Sequence, residues 1–457
     1  MAGFMKSTLR KIYRLGFPLL AGNLSHYLLH AADAAMVGHL GSGPLAAIAV
    51  GGMFAGVLFV MVWPVSAGTQ ALASRRYGRQ QACRADEDYE TLTAATGEVL
   101  GHAQFVSLLA GLLAFSLSFI APLVLNLIIA DAALVRGALS YILILRWGLP
   151  AVGLAMAMRG FLGGIHQTRV LMQATLAANG LNILLNYLLI YGRLGFPALG
   201  LRGAALGTLI ADLFAMTYLL LASLKLGIFR AYRPWRCRAL KPALLRRISL
   251  ASLPMAVQNC IALLILLLFE AMVSRIGTVY LAVTHIVLSF FRINKTIVGG
   301  FAQGTAILVG NALGAERQRD AVRVMKACEL LGALIGGILL LTALLVPGLL
   351  VRIFSGEPEI IAAGIPALRF FAFFFFVEVL GYSFEIVFTG NGWGAYVLFS
   401  EFLTNVLFIL GLTFLLTRVF DFGIYAAWLS FALYQVMHAL ILFMGYLNGK
   451  WLKVRLD

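Results

Sequence analysis

One carboxylate stands inside a long apolar stretch near the start of the chain, where residues 28–41 read LLHAADAAMVGHLG. An ionised carboxylate inside a lipid bilayer costs about 3 kcal/mol on insertion scales, so such acids usually face a bundle interior or a wet cavity and mark an ion pathway. Desolvation also favours the neutral form of a carboxylate. We therefore expect Asp33 to bind and release an ion. The alternative is an aspartate near a helix end that turns outward or caps a turn.

Two histidines precede this aspartate, at positions that place His26, His30 and Asp33 on one face of a helix. Three ligands on one helix without a donor from a second helix indicate a metal site only weakly, and no metal is expected. Histidine titrates near neutral pH, so a proton relay to Asp33 is one interpretation. Hydrogen bonding between helices is the other.

Three asparagines further along, Asn179, Asn182 and Asn186, are spaced three and four residues apart and share one helix face. They are candidate partners of Asp33, and Thr208 is a candidate hydroxyl donor or ligand. A single carboxylate among amides suits exchange of H⁺. Amide and hydroxyl oxygens could also complete a Na⁺ site. Alternatively, the asparagines only join helices by hydrogen bonds.

The second half of the chain carries its own charged side chains within apolar segments. Burying them singly would be costly, so we expect them to pair into one network. The network could be a set of salt bridges that holds helices together. It could also line a cavity that binds an anionic group, with Lys295 first, or a cationic drug, with the glutamates. Its expected members are Glu270, Arg292, Lys295, Glu378 and Glu385.

Long apolar segments must position all of these residues. The chain has 457 residues, of which 61% are hydrophobic and 12% charged. The segments do not alternate as the strands of a membrane barrel would, and each is long enough for a helix to cross a bilayer. The fold class is therefore an all-α polytopic membrane protein. The twelve expected spans are 14–38, 45–74, 95–128, 133–160, 168–192, 203–224, 248–274, 279–312, 322–351, 360–389, 395–417 and 423–447.

The net charge of +16 would suit a nucleic-acid-binding protein, but its distribution does not. Basic residues concentrate in the connections on one side of the twelve spans, which is the bias of cytoplasmic loops. Both termini are expected in the cytoplasm, and the first span is expected to remain because MAGFMKSTLRKIYR is followed by no cleavage site. The scattered cysteines, Cys83, Cys237, Cys260 and Cys328, predict neither a metal site nor a disulfide framework.

The chain contains an internal repeat. Residues 18–78 align without a gap on 254–314, pairing Pro18 with Pro254 and GTQALASRRYG with GTAILVGNALG. An even number of spans in each half makes the repeats parallel, as in transporters whose site lies between two halves. The expected organisation is a first lobe at 1–224, a basic cytoplasmic linker at 225–247 and a second lobe at 248–457.

Several stretches together resemble the multidrug and toxic compound extrusion (MATE) family over essentially the whole chain. The resemblance implies two six-helix bundles around a central cavity, and export of organic, often cationic, compounds against inward H⁺ or Na⁺. The stretches are the first helix with Pro18, Asp33 and GHLG, then GTQALASRRYG and its copy, RGFLGGIHQTR, and NGLNILLNYLLIYG followed by LGLRGAALGT.

The resemblance also implies residue roles. Pro18 corresponds to the proline hinge of the family's first helix, Asp33 to its coupling aspartate, and Asn182 with Asn186 to a polar pair on span five. The acid that some relatives carry on span seven is Ala262 here, whereas Glu378 keeps the acid of span ten. The departure at Ala262 favours the proton-coupled DinF-like branch over the NorM-like branch.

The expected function is export of organic, cationic or amphipathic compounds in exchange for inward H⁺. The protein is expected to act as a monomer in a bacterial inner membrane, without cofactor and without nucleic-acid partner. Alternatives are coupling to Na⁺ and a flippase that moves a lipid-linked anionic substrate. An enzyme is not expected, since His285, the nearest catalytic candidate, has no nucleophile and base around it.

Overall fold

The computed structural model describes residues 2–83, 86–235 and 240–454 together with Leu456. Part of the predicted linker, with Cys237, lies outside these residues. Within them the regular structure is helical. Eleven helical segments among the described residues are long and apolar enough to cross a membrane, and some of them join two of the helices named below. The first helix, Ala2–Gly38, is also long enough, but it is not among the eleven. The all-helical, multi-span fold is confirmed.

The chain divides into two compact units. Unit 1 comprises Met1–Leu20, Val257–Leu313 and Arg317–Asp457, and unit 2 comprises Ala21–Ala256 and Gly314–Glu316. These bounds do not test the predicted lobes, which stay a prediction.

The first ten helices are α1 Ala2–Gly38, α2 Ser42–Val62, α3 Pro64–Ala82, α4 Asp86–Leu117, α5 Ala121–Ile128, α6 Ala132–Leu145, α7 Leu149–Gly164, α8 Thr168–Tyr191, α9 Leu201–Lys225 and α10 Ile228–Tyr232. Prolines in the first turn of α3, α5 and α7 divide longer candidate spans, because proline cannot supply a backbone donor inside a helix. Asp131 caps α6, where its carboxylate accepts hydrogen bonds from the backbone N–H of Ala133 and Leu134 at 2.8 and 3.3 Å.

The later helices are α11 Pro242–Ser274, α12 Thr278–Gly314, α13 Gln318–Leu345, α14 Pro347–Arg352, α15 Pro358–Thr389, α16 Gly394–Thr404 and α17 Ile424–Leu447. Two π-helical segments, Asn405–Leu412 and Leu415–Val419, continue the span that α16 begins. Aromatic side chains of α12, α15 and α17 form the core of unit 1; Phe291, Phe371 and Phe431, for example, lie 5.3 to 6.2 Å apart.

Small residues let the helices of unit 2 approach closely. A Cβ added at Gly164 of α7 would lie 2.7 Å from the Cβ of Ala73 in α3. One added at Gly203 of α9 would lie 2.5 Å from the carbonyl oxygen of Leu189 in α8. Helices packed without a hydrophobic driving force between them rely on such close contacts. The packing of α9 on α8 brings Asn182, Asn186 and Thr208 together.

Candidate functional site

Asp33, Asn182, Asn186 and Thr208 form one polar constellation within unit 2, which we call the Asp33 site. The amide Nδ2 of Asn186 donates to Asp33 Oδ1 at 2.7 Å and lies 2.8 Å from Oδ1 of Asn182. Both asparagines are buried, and Asp33 is half-buried. An amide donor on a carboxylate at this distance is a charge-assisted hydrogen bond, which stabilises the ionised acid.

Asn182 links this pair to α9 in either orientation of its amide. In one orientation its Nδ2 donates to Thr208 Oγ1 at 3.2 Å, and the Thr208 hydroxyl donates to the carbonyl of Ala204 at 3.1 Å. In the other, Nδ2 donates to Asp33 Oδ1 at 3.2 Å and the amide oxygen accepts from Thr208. Orientation of an amide is assigned from such contacts. Both arrangements place Thr208 in the same network as Asp33.

A glycine makes room for this arrangement. A Cβ added at Gly207 of α9 would overlap Oδ1 of Asn186 and lie 3.3 Å from its Cγ. Oδ1 of Asn186 is itself buried without a hydrogen-bond partner among the described residues. The narrow space beside Gly207 therefore limits how far the Asn186 amide can turn away from Asp33.

Asn179 lies outside the Asp33 site. Its Nδ2 donates to Oγ of Ser25 at 2.8 Å, so this asparagine joins α8 to α1 further from the end of α1. The contact is an interhelical hydrogen bond of the kind that joins membrane helices.

His26 and His30 contact each other in an edge arrangement, with ring centroids 4.6 Å apart. Both residues are exposed on α1. Among the described residues, no hydrogen bond joins either ring to Asp33, and no group of histidine, cysteine and acidic residues could hold a metal ion. Their predicted relay function therefore lacks a direct contact with the aspartate.

Two charged residues of unit 2 were not predicted from the sequence as site residues. Arg159 of α7 donates from Nη1 to Thr175 Oγ1 at 3.0 Å, and it interacts electrostatically with Asp212 of α9. Asp212 lies one helical turn after Thr208. Asp33 and Asp212 both interact electrostatically with the phenol of Tyr141. A lone acid in the apolar sequence LIADLFAM was the signal that could have found it.

The structure brings Lys295, Glu378 and Glu385 of the predicted network together within unit 1. Lys295 Nζ lies 3.9 Å from Glu378 Oε1 and 5.1 Å from the ring centre of Tyr382. The carboxylates of Glu385 and Glu378 both interact electrostatically with the Lys295 ammonium group. Gln258 of α11 donates to Glu385 Oε1 at 2.7 Å. The side chain that α11 contributes to the network is therefore an amide.

Glu270 and Arg292 are not in this group. Oε1 of Glu270 lies 3.6 Å from Nδ1 of His285, near the end of α11, and Arg292 is exposed on α12. One helical turn separates Arg292 from Thr296, whose hydroxyl donates to the Arg292 carbonyl at 2.8 Å. Spacing in the sequence could not show that Arg292 and Lys295, three residues apart, point to different surroundings.

Two further members of the group were missed. His438 of α17 lies with Nε2 at 3.7 Å from Glu385 Oε2, and Glu401 of α16 is coupled electrostatically to the same carboxylate. Both are buried. A glutamate in FSEFLTN and a histidine in YQVMHAL, each within an apolar span, were visible in the sequence.

The structure also locates the predicted hinge residue, Pro18, and Ala262, the alanine that stands where some relatives carry an acid. Pro18 is buried in the interior of α1, where it removes one backbone hydrogen bond and permits a bend. Ala262 lies within α11, one turn after Gln258.

Solved structures share this fold across nearly the entire chain. A structure described as MATE in the bent conformation matches with a TM-score of 0.85 at 20% identity, covering 98% of each chain. A MOP superfamily transporter from Pyrococcus furiosus matches with a TM-score of 0.82 at 21% identity, covering 98% of this chain and 97% of that one. The chain therefore shares the multi-span helical fold of these structures, with eleven or twelve candidate spans.

The sequence model of the MatE family matches the chain twice, at residues 18–188 and 254–414. The chain belongs to the MatE family and is a transporter, not an enzyme. Pro18 and Pro254, paired by the internal repeat, begin the two matches.

Named relatives in bacteria are called "Probable multidrug resistance protein NorM". One from Photorhabdus laumondii is 26% identical over 76% of this chain and 73% of its own. Another from Thermotoga maritima is 20% identical over 97% of this chain and 93% of its own. These names do not specifically support the DinF-like branch.

Proposed function

We propose that this transporter is a proton-coupled antiporter that exports organic, cationic or amphipathic compounds, as DinF-like members of the family are expected to do. The observation that carries the proposal is the 2.7 Å hydrogen bond from the buried Asn186 amide to Asp33. It gives a half-buried carboxylate a specific partner on a second helix. The names of the bacterial relatives, which refer to multidrug resistance, support the substrate class.

Protonation of Asp33 would change that contact. The Asn186 N–H stabilises the ionised carboxylate, and a neutral acid accepts a weaker hydrogen bond. The attachment of α1 to α8 is therefore weaker once a proton has bound. In the outward-open state, the released end of α1 would rearrange about Pro18 and shrink the cavity of the first lobe, which expels substrate. Release of the proton to the cytoplasm would restore the contact.

Sodium is the alternative coupling ion, since carboxylate, amide and hydroxyl oxygens are ligands for hard cations. Asp33, Asn182 and Thr208 offer these groups within one network. Two observations favour H⁺ over Na⁺. Asp33 is the carboxylate of the Asp33 site, and its partners are amides. In the separate network of unit 1, α11 contributes the amide of Gln258 rather than an acid.

A flippase for a lipid-linked anionic substrate would need uncompensated positive charge in its cavity. Lys295 lies 3.9 Å from Glu378 and is also under the influence of Glu385, so its charge is compensated within unit 1. The Pyrococcus furiosus transporter of similar fold is described as having a binding pocket of reverse polarity that suggests a different function. The acid excess around Lys295 makes an anionic substrate the less supported alternative here.

The remaining parts of the proposal concern organisation. We propose lobes at 1–224 and 248–457 joined by a cytoplasmic linker at 225–247, with both termini in the cytoplasm of a bacterial cell. The concentration of basic residues in connections on one side supports this orientation. The proposed working unit is a monomer in the inner membrane.

Everted membrane vesicles with an acid interior test the proposal. Cationic dyes and fluoroquinolone-like drugs should collapse the pH gradient through wild-type protein without Na⁺, and Asp33→Asn should abolish the collapse. Asp421→Asn is the matched control, because Asp421 is an exposed loop residue with positive φ that asparagine tolerates. Collapse that requires Na⁺, or equal collapse in Asp33→Asn at equal expression, would refute proton coupling through Asp33.

A further inference from the structure

Unit 2 contains a cavity of about 690 Å³ at the end of the bundle where three helices begin, which we call the α2–α6–α9 cavity. A cavity of this size can hold a drug-sized ligand or a lipid head. Small residues keep it open. A Cβ added at Gly43 would meet nothing within 4 Å. One added at Gly137 of α6 would lie 2.7 Å from the Cβ of Ala47 in α2, so the close packing of these two helices bounds the cavity.

Two side chains of opposite charge line this cavity. Asp131 precedes α6, and Arg202 lies in the first turn of α9. Both hydrogen bonds that the Asp131 carboxylate accepts go to Oδ1, so Oδ2 remains available to a ligand. Within the described part of the chain, the Arg202 guanidinium forms no ion pair and no hydrogen bond, although an acid lines the same cavity. The cavity therefore presents two charges that do not neutralise each other.

The starts of the helices favour an anion beside Arg202 and a cation beside Asp131. The first turns of α2 and α9 line the cavity, and neither helix has a side-chain cap at its preceding glycine, Gly41 or Gly200. Uncapped N–H groups at the positive end of a helix dipole attract anions, and a guanidinium binds a phosphate with two parallel hydrogen bonds. Asp131 caps α6 instead, and its carboxylate attracts a cation.

Exposed apolar side chains precede two of the segments that line the cavity. Leu127 lies shortly before Asp131, and Leu194 and Phe196 lie shortly before Ala198. Leu127 is 84% exposed and Leu194 is 86% exposed. A small water-soluble zwitterion would leave these side chains in water, which is unfavourable. Charged groups next to exposed apolar side chains at the ends of spanning helices fit the boundary between lipid heads and acyl chains.

We propose that the α2–α6–α9 cavity binds the head of a zwitterionic phospholipid, with its phosphate at Arg202 and its primary ammonium at Asp131 Oδ2. Phosphatidylethanolamine carries these two groups. Its ammonium has N–H donors for the carboxylate, whereas the quaternary ammonium of phosphatidylcholine has none. The bound head joins the start of α6 to the start of α9 and so stabilises unit 2. The inference depends neither on the coupling ion nor on the proposed orientation.

Lipid titration of the delipidated protein, read by native mass spectrometry, tests the site. Wild type should bind phosphatidylethanolamine about tenfold more tightly than phosphatidylcholine, because a hydrogen bond to a charged group contributes at least this factor. Asp131→Asn should remove this preference but keep the cap of α6, since asparagine caps helices as well as aspartate does. Arg202→Gln should weaken binding of both lipids, because both carry a phosphate. Arg136→Gln is the matched control, since Arg136 is exposed on α6 and does not line the cavity.

A steric variant carries the test if a charge variant does not yield monodisperse protein. Gly43→Leu would place a side chain in the open space of the cavity and should abolish binding of phosphatidylethanolamine. Gly52→Leu is its control, because a Cβ at Gly52 of α2 also meets nothing within 4 Å and Gly52 does not line the cavity. Added phosphatidylethanolamine should raise the melting temperature of wild type and Gly52→Leu, but not that of Gly43→Leu.

Equal affinity of wild type, Arg202→Gln and Gly43→Leu for phosphatidylethanolamine would overturn the inference. Equal binding of the two lipids by wild type would overturn it as well. Asp33→Asn separates the inference from the proposed function, because this variant should bind the lipid as wild type does. Failure of the lipid titration would leave proton coupling at Asp33 untouched, and export that persists in Asp33→Asn would leave the lipid site standing.

Discussion

Replacement of Gly207 by alanine tests how tightly the Asp33 site is built. The new methyl group would overlap Oδ1 of Asn186 and crowd its Cγ at 3.3 Å. The Asn186 amide has to move, because the added methyl group is attached to the backbone of α9 and cannot turn away. Movement of the amide lengthens or breaks its 2.7 Å hydrogen bond to Asp33.

The size of the effect follows from that bond. A hydrogen bond to a charged group contributes about 1.5–3 kcal/mol, and every 1.4 kcal/mol is a factor of about ten. The attachment of α1 to α8 should therefore weaken by roughly 10- to 150-fold. We expect the initial rate of proton-coupled export to fall about tenfold or more in Gly207→Ala. Alanine is also up to about 1 kcal/mol more favourable than glycine in a helix interior. We therefore do not expect a loss of folding to cause the fall in export rate.

Export rates in proteoliposomes, with a double-mutant cycle, provide the assay. Gly180→Ala is the matched control, since a Cβ at Gly180 of α8 meets nothing within 4 Å. In the background Asn186→Ala, which removes the amide, Gly207→Ala should cause little further loss. Equal rates for Gly207→Ala and Gly180→Ala, or full additivity with Asn186→Ala, would refute the coupling of Asn186 to Asp33.

Three further predictions concern buried charges and the hinge. Lys295→Met should lower the free energy of unfolding by about 1–3 kcal/mol, because it leaves the buried Glu378 carboxylate without its counterion, whereas the Lys295 side chain is 36% exposed and only partly desolvated. Thermal unfolding should show recovery in Lys295→Met/Glu378→Gln, and no recovery would contradict the pairing. Arg159→Met should destabilise similarly, and Arg159→Met/Asp212→Leu should recover melting temperature if the two charges stabilise each other. Pro18→Ala should restore a helix hydrogen bond and slow export several-fold at unchanged drug binding; an unchanged rate would argue against bending at this residue.

The fold could be predicted from the sequence because bilayer-spanning helices follow from apolar length alone. The internal repeat beginning at Pro18 and Pro254 coincides with the starts of both family matches. The breaks within spans were harder to predict. Proline at the start of α3 and α7 divides apparent single spans, and no pattern in the sequence predicts the π-helical segments after α16.

The site could be predicted where residues share a helix face. Asn182 and Asn186 lie together because they are one turn apart, and the structure places Thr208 and Asp33 beside them. Contacts between distant segments were beyond sequence reasoning. His438 and Glu401 approach Glu385 only because α16 and α17 pack on α15, and no local pattern specifies that packing.

Exchange of a drug for protons by the purified transporter tests the central claim most directly. Proteoliposomes are loaded with a cationic substrate, and an outside-acid pH gradient is imposed without Na⁺. We predict substrate efflux with proton entry in wild type, and neither in Asp33→Asn. Efflux that persists in Asp33→Asn, or that appears only when a Na⁺ gradient replaces the pH gradient, would contradict proton coupling at Asp33.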